Sequence, residues 1–304
     1  MRITNNYIYS VAEANISDGY ERTADLQNQI STGIRVSEAN VDPMGMVEIT
    51  LLQSRMDGIQ QGGQNATVAQ TEIQAEQTQL SSLSTVMQSA IQTVEKASNG
   101  DSSSDDLKSD ATQLSSYLDQ IVSIANFKNS NNESVFAGTK VSQDAYQITK
   151  DADGNVTGVT YQGNDQQQTI NLDSGVSVNI YQSGNTVFGS GTNSIFSNLI
   201  SFIQRLKTGT PLTSQESSTE LKSLNGLMDA NTQTLGVVQN QYKLADFEVS
   251  MYASLKQNYG AQLTKVRDAD YATCVSELSK QMTILKATMA SSEELEKLSM
   301  FNEG

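Results

Sequence analysis

LKSLNGLMDANTQTLGVVQNQYKLADFEVSMYASLKQNYGAQLTKV, residues 221–266, repeats its apolar side chains at alternating steps of three and four. Leu221, Leu224, Met228, Leu235, Val238, Tyr242, Ala245, Val249, Tyr252, Tyr259, Leu263 and Val266 share one register, with Asn231 and Lys256 as its polar members. That spacing lays a stripe along one face of a long helix. Beyond Asp268-Ala-Asp270 a second register holds Tyr271, Val275, Leu278, Met282, Leu285 and Met289. From Leu221 to Met289 the helical path is roughly 100 Å at about 1.5 Å per residue. A single-layer globule does not need such a rod.

The amino-terminal half has matching seams. Tyr9, Ala12, Ile16, Gly19, Thr23, Leu26 and Ile30 form a weak one, because Gly19 and Thr23 bury little area. Gly33 stops that helix, residues 34–42 connect, and Asp42-Pro43 starts the next with Asp as N-cap and Pro in the first turn. The second helix runs through Ile49, Leu52, Met56, Ile59, Gly62, Ala66, Ala69, Ile73, Leu80, Leu83, Met87, Ala90, Val94 and Ala97, with Glu76 on the same seam. It ends at Asn99-Gly100. A third helix opens at the Ser103–Asp106 cluster and carries Leu107, Ala111, Leu114, Leu118, Ile121 and Ala125.

From Tyr146 to Tyr181 the pattern becomes short alternating runs, ITK, VTGVTY, TINL and VSVNIY, separated by Gly/Asn/Asp turns. Three or four β-strands in hairpins are expected there. Asp151-x-Asp153-x-Asn155 has the spacing of a calcium loop, but Val156 replaces the required Gly and Gln162 the closing Glu, so a hairpin turn is the reading. Helix returns at Ile195–Leu206, breaks at Gly209-Thr-Pro211 and resumes near Ser214. The expected class is mainly α: an elongated antiparallel helical rod or coiled coil, terminal helices paired, with a small β-rich domain inserted mid-chain. An ordinary antiparallel bundle would show the same periodicity.

Composition excludes several functions. The 304 residues carry a net charge of −15, and roughly 39% are Ser, Thr, Asn or Gln once apolar, charged, Gly and Pro residues are removed. Polyphosphate would be repelled, so nucleic acid is not an expected partner. With no His, one Cys and no Trp, a conventional metalloenzyme and a Ser-His-Asp hydrolase are both ruled out. Cys274 reads as a buried thiol acting as a small apolar side chain. Gly189-Ser-Gly191 is a return loop, lacking any P-loop or dinucleotide context. No catalytic residue, cofactor or metal is expected. The start MRITNNYIYSVAEANIS lacks the apolar run of a signal peptide, and no stretch approaches a membrane span. A soluble chain is expected, with no membrane insertion.

Four places resemble the flagellin superfamily of bacterial axial proteins. They are the opening Met1-Arg2-Ile3-Thr4, the connector Ile30-Ser-Thr-Gly33-Ile-Arg35-Val36 with Asp42-Pro43, Phe136-Ala-Gly138, and Asp268-Ala-Asp270-Tyr271 followed by Leu298-Ser-Met300-Phe301. The connector departs from the family pattern at Ile34 and Val41, which stand where Lys and Asp are usual. The resemblance covers roughly residues 1–140 and 215–304. Pro43 and the Phe-Ala-Gly exit point toward the proteins of the hook–filament junction rather than true flagellins.

The resemblance implies an innermost coiled-coil domain (1–41 with 262–304), a helical rod (42–138 with 195–261) and a projecting β-rich domain (139–194). It implies a static adaptor that self-assembles in a ring or helical layer between hook-associated protein 1 and flagellin. It further implies delivery by a cytoplasmic export chaperone and extracellular residence without a cleaved signal peptide. Assembly residues would be Ile8, Ile16, Tyr20, Leu26, Ile30, Leu278, Met282, Leu285, Leu295, Leu298 and Phe301, with Gly33, Asp42 and Pro43 in the connector. Leu80, Leu83, Leu114, Leu118, Leu235, Val238, Tyr242 and Val249 would fill the rod core. The alternatives are a minor or short flagellin and, more distantly, a glycan-binding adhesin using Tyr146, Tyr161 and Tyr181 as a sugar platform. Such tyrosines more often fill strand cores. The insert is expected to hold its own small core and to be removable.

Overall fold

A computed structural model describes residues 2–98, 102–152, 154–173, 176–210 and 213–301, except the side chains of 2–6, 8, 173 and 295–301. The chain is mainly helical: α1 (Arg2–Thr32), α2 (Pro43–Ala97), α3 (Ser104–Ala125), α4 (Gly184–Phe188), α5 (Ile195–Lys207), α6 (Ser214–Arg267) and α7 (Tyr271–Phe301). Four strands lie between α3 and α4: β1 (Tyr146–Lys150), β2 (Val156–Tyr161), β3 (Gln168–Asp173) and β4 (Val176–Tyr181). Two compact units form, Met1–Ile59 with Ser254–Gly304 and Gln60–Ala253.

In the larger unit α2 and α6 run antiparallel. Asn231 Nδ2 donates to Leu80 O at 3.1 Å and Ser84 Oγ at 2.7 Å, while Gln70 Nε2 donates to Asp246 Oδ1 at 2.9 Å. Further along, the Tyr252 ring lies 2.6 Å from where a Cβ on Gly62 would stand. Successive contacts thus ascend one helix as they descend the other. Leu80, Leu83, Leu114, Leu118 and Val238 are buried. Leu235, Tyr242 and Val249, expected in the rod core, are half-buried at its edge. The buried residues of α6 are Leu224, Asn231, Val238, Ala245, Tyr252 and Leu263 of the register read from sequence, joined by Ser217, Thr234 and Glu248. The paired bonds of Asn231 and the seat of Tyr252 on Gly62 fix the helix rotation, leaving Leu235 and Val249 at the flank.

Ser103 caps α3 in a capping box with Asp106, and Lys96 bonds Asp110 at 2.7 Å across the α2–α3 turn. The strands make two separate antiparallel pairs, β1–β2 and β3–β4. They do not enclose a core of their own. Tyr146 meets Phe196 of α5 at 4.9 Å between ring centroids, and Phe188 meets Phe136 at 5.2 Å and Phe196 at 5.6 Å. The insert therefore shares its aromatic core with Phe136 of the turn before it and Phe196 of α5, contrary to the independent core expected. Tyr146 and Tyr181 are buried and Tyr161 is half-buried with its hydroxyl bonded to Asn164 O at 2.8 Å. That geometry presents no sugar platform. Asp151 closes the β1–β2 turn by accepting from Asn155 N at 2.8 Å, a hairpin role. Gly189 and Gly191 both take positive φ in the return loop.

Candidate assembly surface

The smaller unit pairs α1 with α7. Along α1 the less exposed positions are Tyr9, Ala12, Ile16, Gly19, Thr23, Leu26 and Ile30, the seam read from sequence. Gly19 is its closest point. A Cβ there would stand 2.9 Å from Leu285 Cδ1, so the missing side chain is what lets α7 close in.

The facing stripe of α7 is Cys274, Leu278, Gln281, Leu285, Thr288 and Ser292. Only Leu278 and Leu285 belong to the apolar register expected. Tyr271, Val275, Met282 and Met289 are all exposed, 39% to 65%. The contact face lies one residue before the apolar stripe at Cys274, Gln281 and Thr288. Cys274 is buried, with its thiol donating to Gln29 Oε1 at 3.5 Å. Hydropathy could not find this face, because Gln, Thr and Ser carry no apolar signal. An apolar strip thus runs beside a seam that is half polar on α7, flanked by Tyr20, whose hydroxyl reaches Met289 Sδ at 3.7 Å. Tyr7 and Val11 are exposed on α1. The side chains of Ile8, Leu295, Leu298 and Phe301 lie outside the described residues.

The connector is tightly tied. Gly33 takes φ +70° immediately after α1, and its carbonyl accepts from Ala269 N at 2.9 Å. Arg35 N donates to Arg267 O at 2.7 Å, and Arg35 Nη2 donates to Val266 O at 2.8 Å. Asp42 accepts from Gly45 N at 2.9 Å, capping α2 ahead of Pro43 in its first turn, and pairs with Arg35 at 3.2 Å. Those amide and guanidinium donors hold its carboxyl below the usual range, the amide most strongly. Val36, Ile49, Leu52 and Leu263 form a small core beneath, packed by Met46, Met56, Tyr259 and Val266. The sequence marked Gly33, Asp42 and Pro43; the bracing role of Arg35 emerges only from the fold. Near the start of α2, Met44, Val47 and Leu51 form a second exposed apolar strip.

Among the described residues no His/Cys/Asp/Glu group could hold a metal, and no helix is long and apolar enough to cross a membrane. Residues 3–141 match the bacterial flagellin N-terminal helical region, so the chain is similar to a family of structural flagellar proteins. Among its relatives are the flagellar hook-associated proteins 3 of Salmonella typhimurium and Escherichia coli, each 24% identical over 99% of both chains. A solved structure from Vibrio parahaemolyticus, described as a flagellar hook-associated protein, matches 75% of this chain and 100% of its own. Its TM-score is 0.68 at 19% identity, a likeness of fold.

Proposed function

We propose that this chain is a structural subunit of the bacterial flagellum, polymerising at the hook–filament junction between hook-associated protein 1 and flagellin. Likeness to hook-associated protein 3 over 99% of both chains supports the junction rather than the filament. The observation carrying the assembly reading is the exposed apolar strip Tyr271, Val275, Met282 and Met289, which lies beside the intramolecular seam. Neighbouring subunits in a ring or short helical layer would bury it, and burial of such side chains drives association. Export as an unfolded chain, escorted by a cytoplasmic chaperone and without a cleaved signal peptide, belongs to the same reading. So do extracellular residence and the absence of catalysis.

Met282→Glu tests this. Expected is an unchanged monomer melting temperature with failure of the subunit to assemble at the filament base, seen by imaging flagella from cells carrying only the variant. Normal junctions from that variant would overturn the assignment of this strip.

A further inference from the structure

We propose that Glu72 and Glu76 form a protonation-gated latch on α2, gripping the end of β4 while Glu76 keeps its proton and releasing it when Glu76 ionises. Between residues 58 and 94, Glu72 and Glu76 are the only charged side chains of α2, one turn apart on one face. Both meet the same segment. Glu76 is 1% exposed, and its Oε1 accepts from Gln182 N at 2.7 Å. Beside it the buried Tyr181 donates its hydroxyl to Glu72 Oε2 and accepts from Asn129 Nδ2 at 3.3 Å. A helix otherwise uncharged over ten turns (about 3.6 residues each) thus places both of its carboxylates on the closing residues of one strand.

One backbone N–H does not replace the hydration of a buried carboxylate. The charged groups around the site offer no compensation. Glu72 shares its helix, Glu133 lies in the turn holding Asn129, and Lys128 is paired with Asp144 at 2.9 Å. By the register of Gln70 with Asp246 and Leu80 with Asn231, α6 brings residues 236–240, Gly-Val-Val-Gln-Asn, across from Glu76. None of them is charged. Burial accordingly pushes the Glu76 carboxyl up to about 8, partly opposed by the Gln182 amide. Burial and the Glu72 carboxylate push the Tyr181 phenol upward, so it remains a donor.

When the pH passes that range, the Glu76 proton leaves to solvent. The bare charge is then relieved only if water reaches it, which requires Gln182 to separate from α2. The hold on the β3–β4 pair therefore weakens as pH rises from 4.5 to about 8 and stays weakened above that. This holds whichever flagellar layer the chain occupies.

Hydrogen exchange on the full-length chain, followed by mass spectrometry at about pH 6.5 and about pH 9.5 with correction for intrinsic rates, tests the latch. Protection of peptides covering 176–188 should fall roughly tenfold at the higher pH, while those covering 107–122 hold theirs. Glu76→Gln keeps the acceptor but cannot ionise, and should abolish the fall. Glu72→Gln should leave it in place. No selective fall in the unaltered protein, or an equal fall in Glu76→Gln, overturns the latch. The first arm decides alone if the variant does not fold.

Discussion

Glu216 and Glu220 stand one turn apart at the start of α6 and answer pH in opposite directions. Glu216 accepts from the Thr213 hydroxyl at 2.7 Å and Thr213 N at 2.8 Å, and Arg205 lies 3.3 Å away. These donors hold its carboxyl down to about 2. Its contribution is present above the ordinary value of 4.5 and is lost as pH falls through about 2. Glu220 is half-buried, with Oε1 lacking a partner, and burial pushes it up to about 7. The folded chain then holds a proton that the unfolded chain has released. Stability consequently falls as pH rises from 4.5 to about 7 and stays lowered above that. Glu220→Gln should melt higher than the unaltered protein above pH 7, by about 2–4 °C per kcal/mol recovered, and no higher near pH 4. Thermal melts across pH check this; a gain of equal size at both ends would assign it to packing instead.

At the scale of elements, punctuation was legible and helix rotation was not. Asp42-Pro43, the Ser103–Asp106 box, the break before Ser214 and Asp268-Ala-Asp270 each bound a helix because they satisfy or remove terminal backbone groups. The five-residue α4 carries too little periodicity to be seen in sequence. The contact face of α7 departs from the apolar register at Gln281 and Thr288, which carry no apolar signal, whereas α6 buries Leu224, Asn231, Val238, Ala245, Tyr252 and Leu263 of its register and leaves Leu235, Tyr242 and Val249 at the flank. Single substitutions report on this rotation. Gly62→Ala should destabilise by about 1–3 kcal/mol, since its Cβ would overlap the Tyr252 ring, an overpacking cost that outweighs helix propensity. Gly226→Ala, with open space at its Cβ, should stabilise by about 0.5–1 kcal/mol. Leu83→Ala, fully buried, should cost about 2–5 kcal/mol, and Leu235→Ala clearly less. Chemical denaturation of the four variants checks the order. A Leu235 cost matching that of Leu83 would put Leu235 back in the core.

For the molecule as a whole, the extent of the helical halves was legible from both termini, whereas the tie between insert and rod was hidden. Aromatics scattered from Phe136 to Phe196 converge only in the fold. The α1–α7 pair invites the opposite question, whether it holds without neighbours. Its seam carries Ile16, Leu26 and Ile30 on α1 and Leu278 and Leu285 on α7, but Ala12, Gly19, Thr23, Gln281, Thr288 and Ser292 interrupt them, so apolar burial is thin for helices of this length. Ordering the backbone costs about 1–2 kcal/mol per residue, which such a seam offsets poorly. The strip Val275, Met282 and Met289 is only partly covered within the monomer, by Tyr20 against Met289. In a polymer its burial would supply the missing stabilisation. Amides of residues 9–30 and 271–292 should therefore exchange fastest among the helices of the monomer, by a factor of about a hundred or more relative to residues 107–122. They should become protected in assembled junctions. Slow exchange of both terminal helices in the monomer would mean that the thin seam suffices alone, and the assembly surface would then have to be sought on the Met44, Val47 and Leu51 strip of α2.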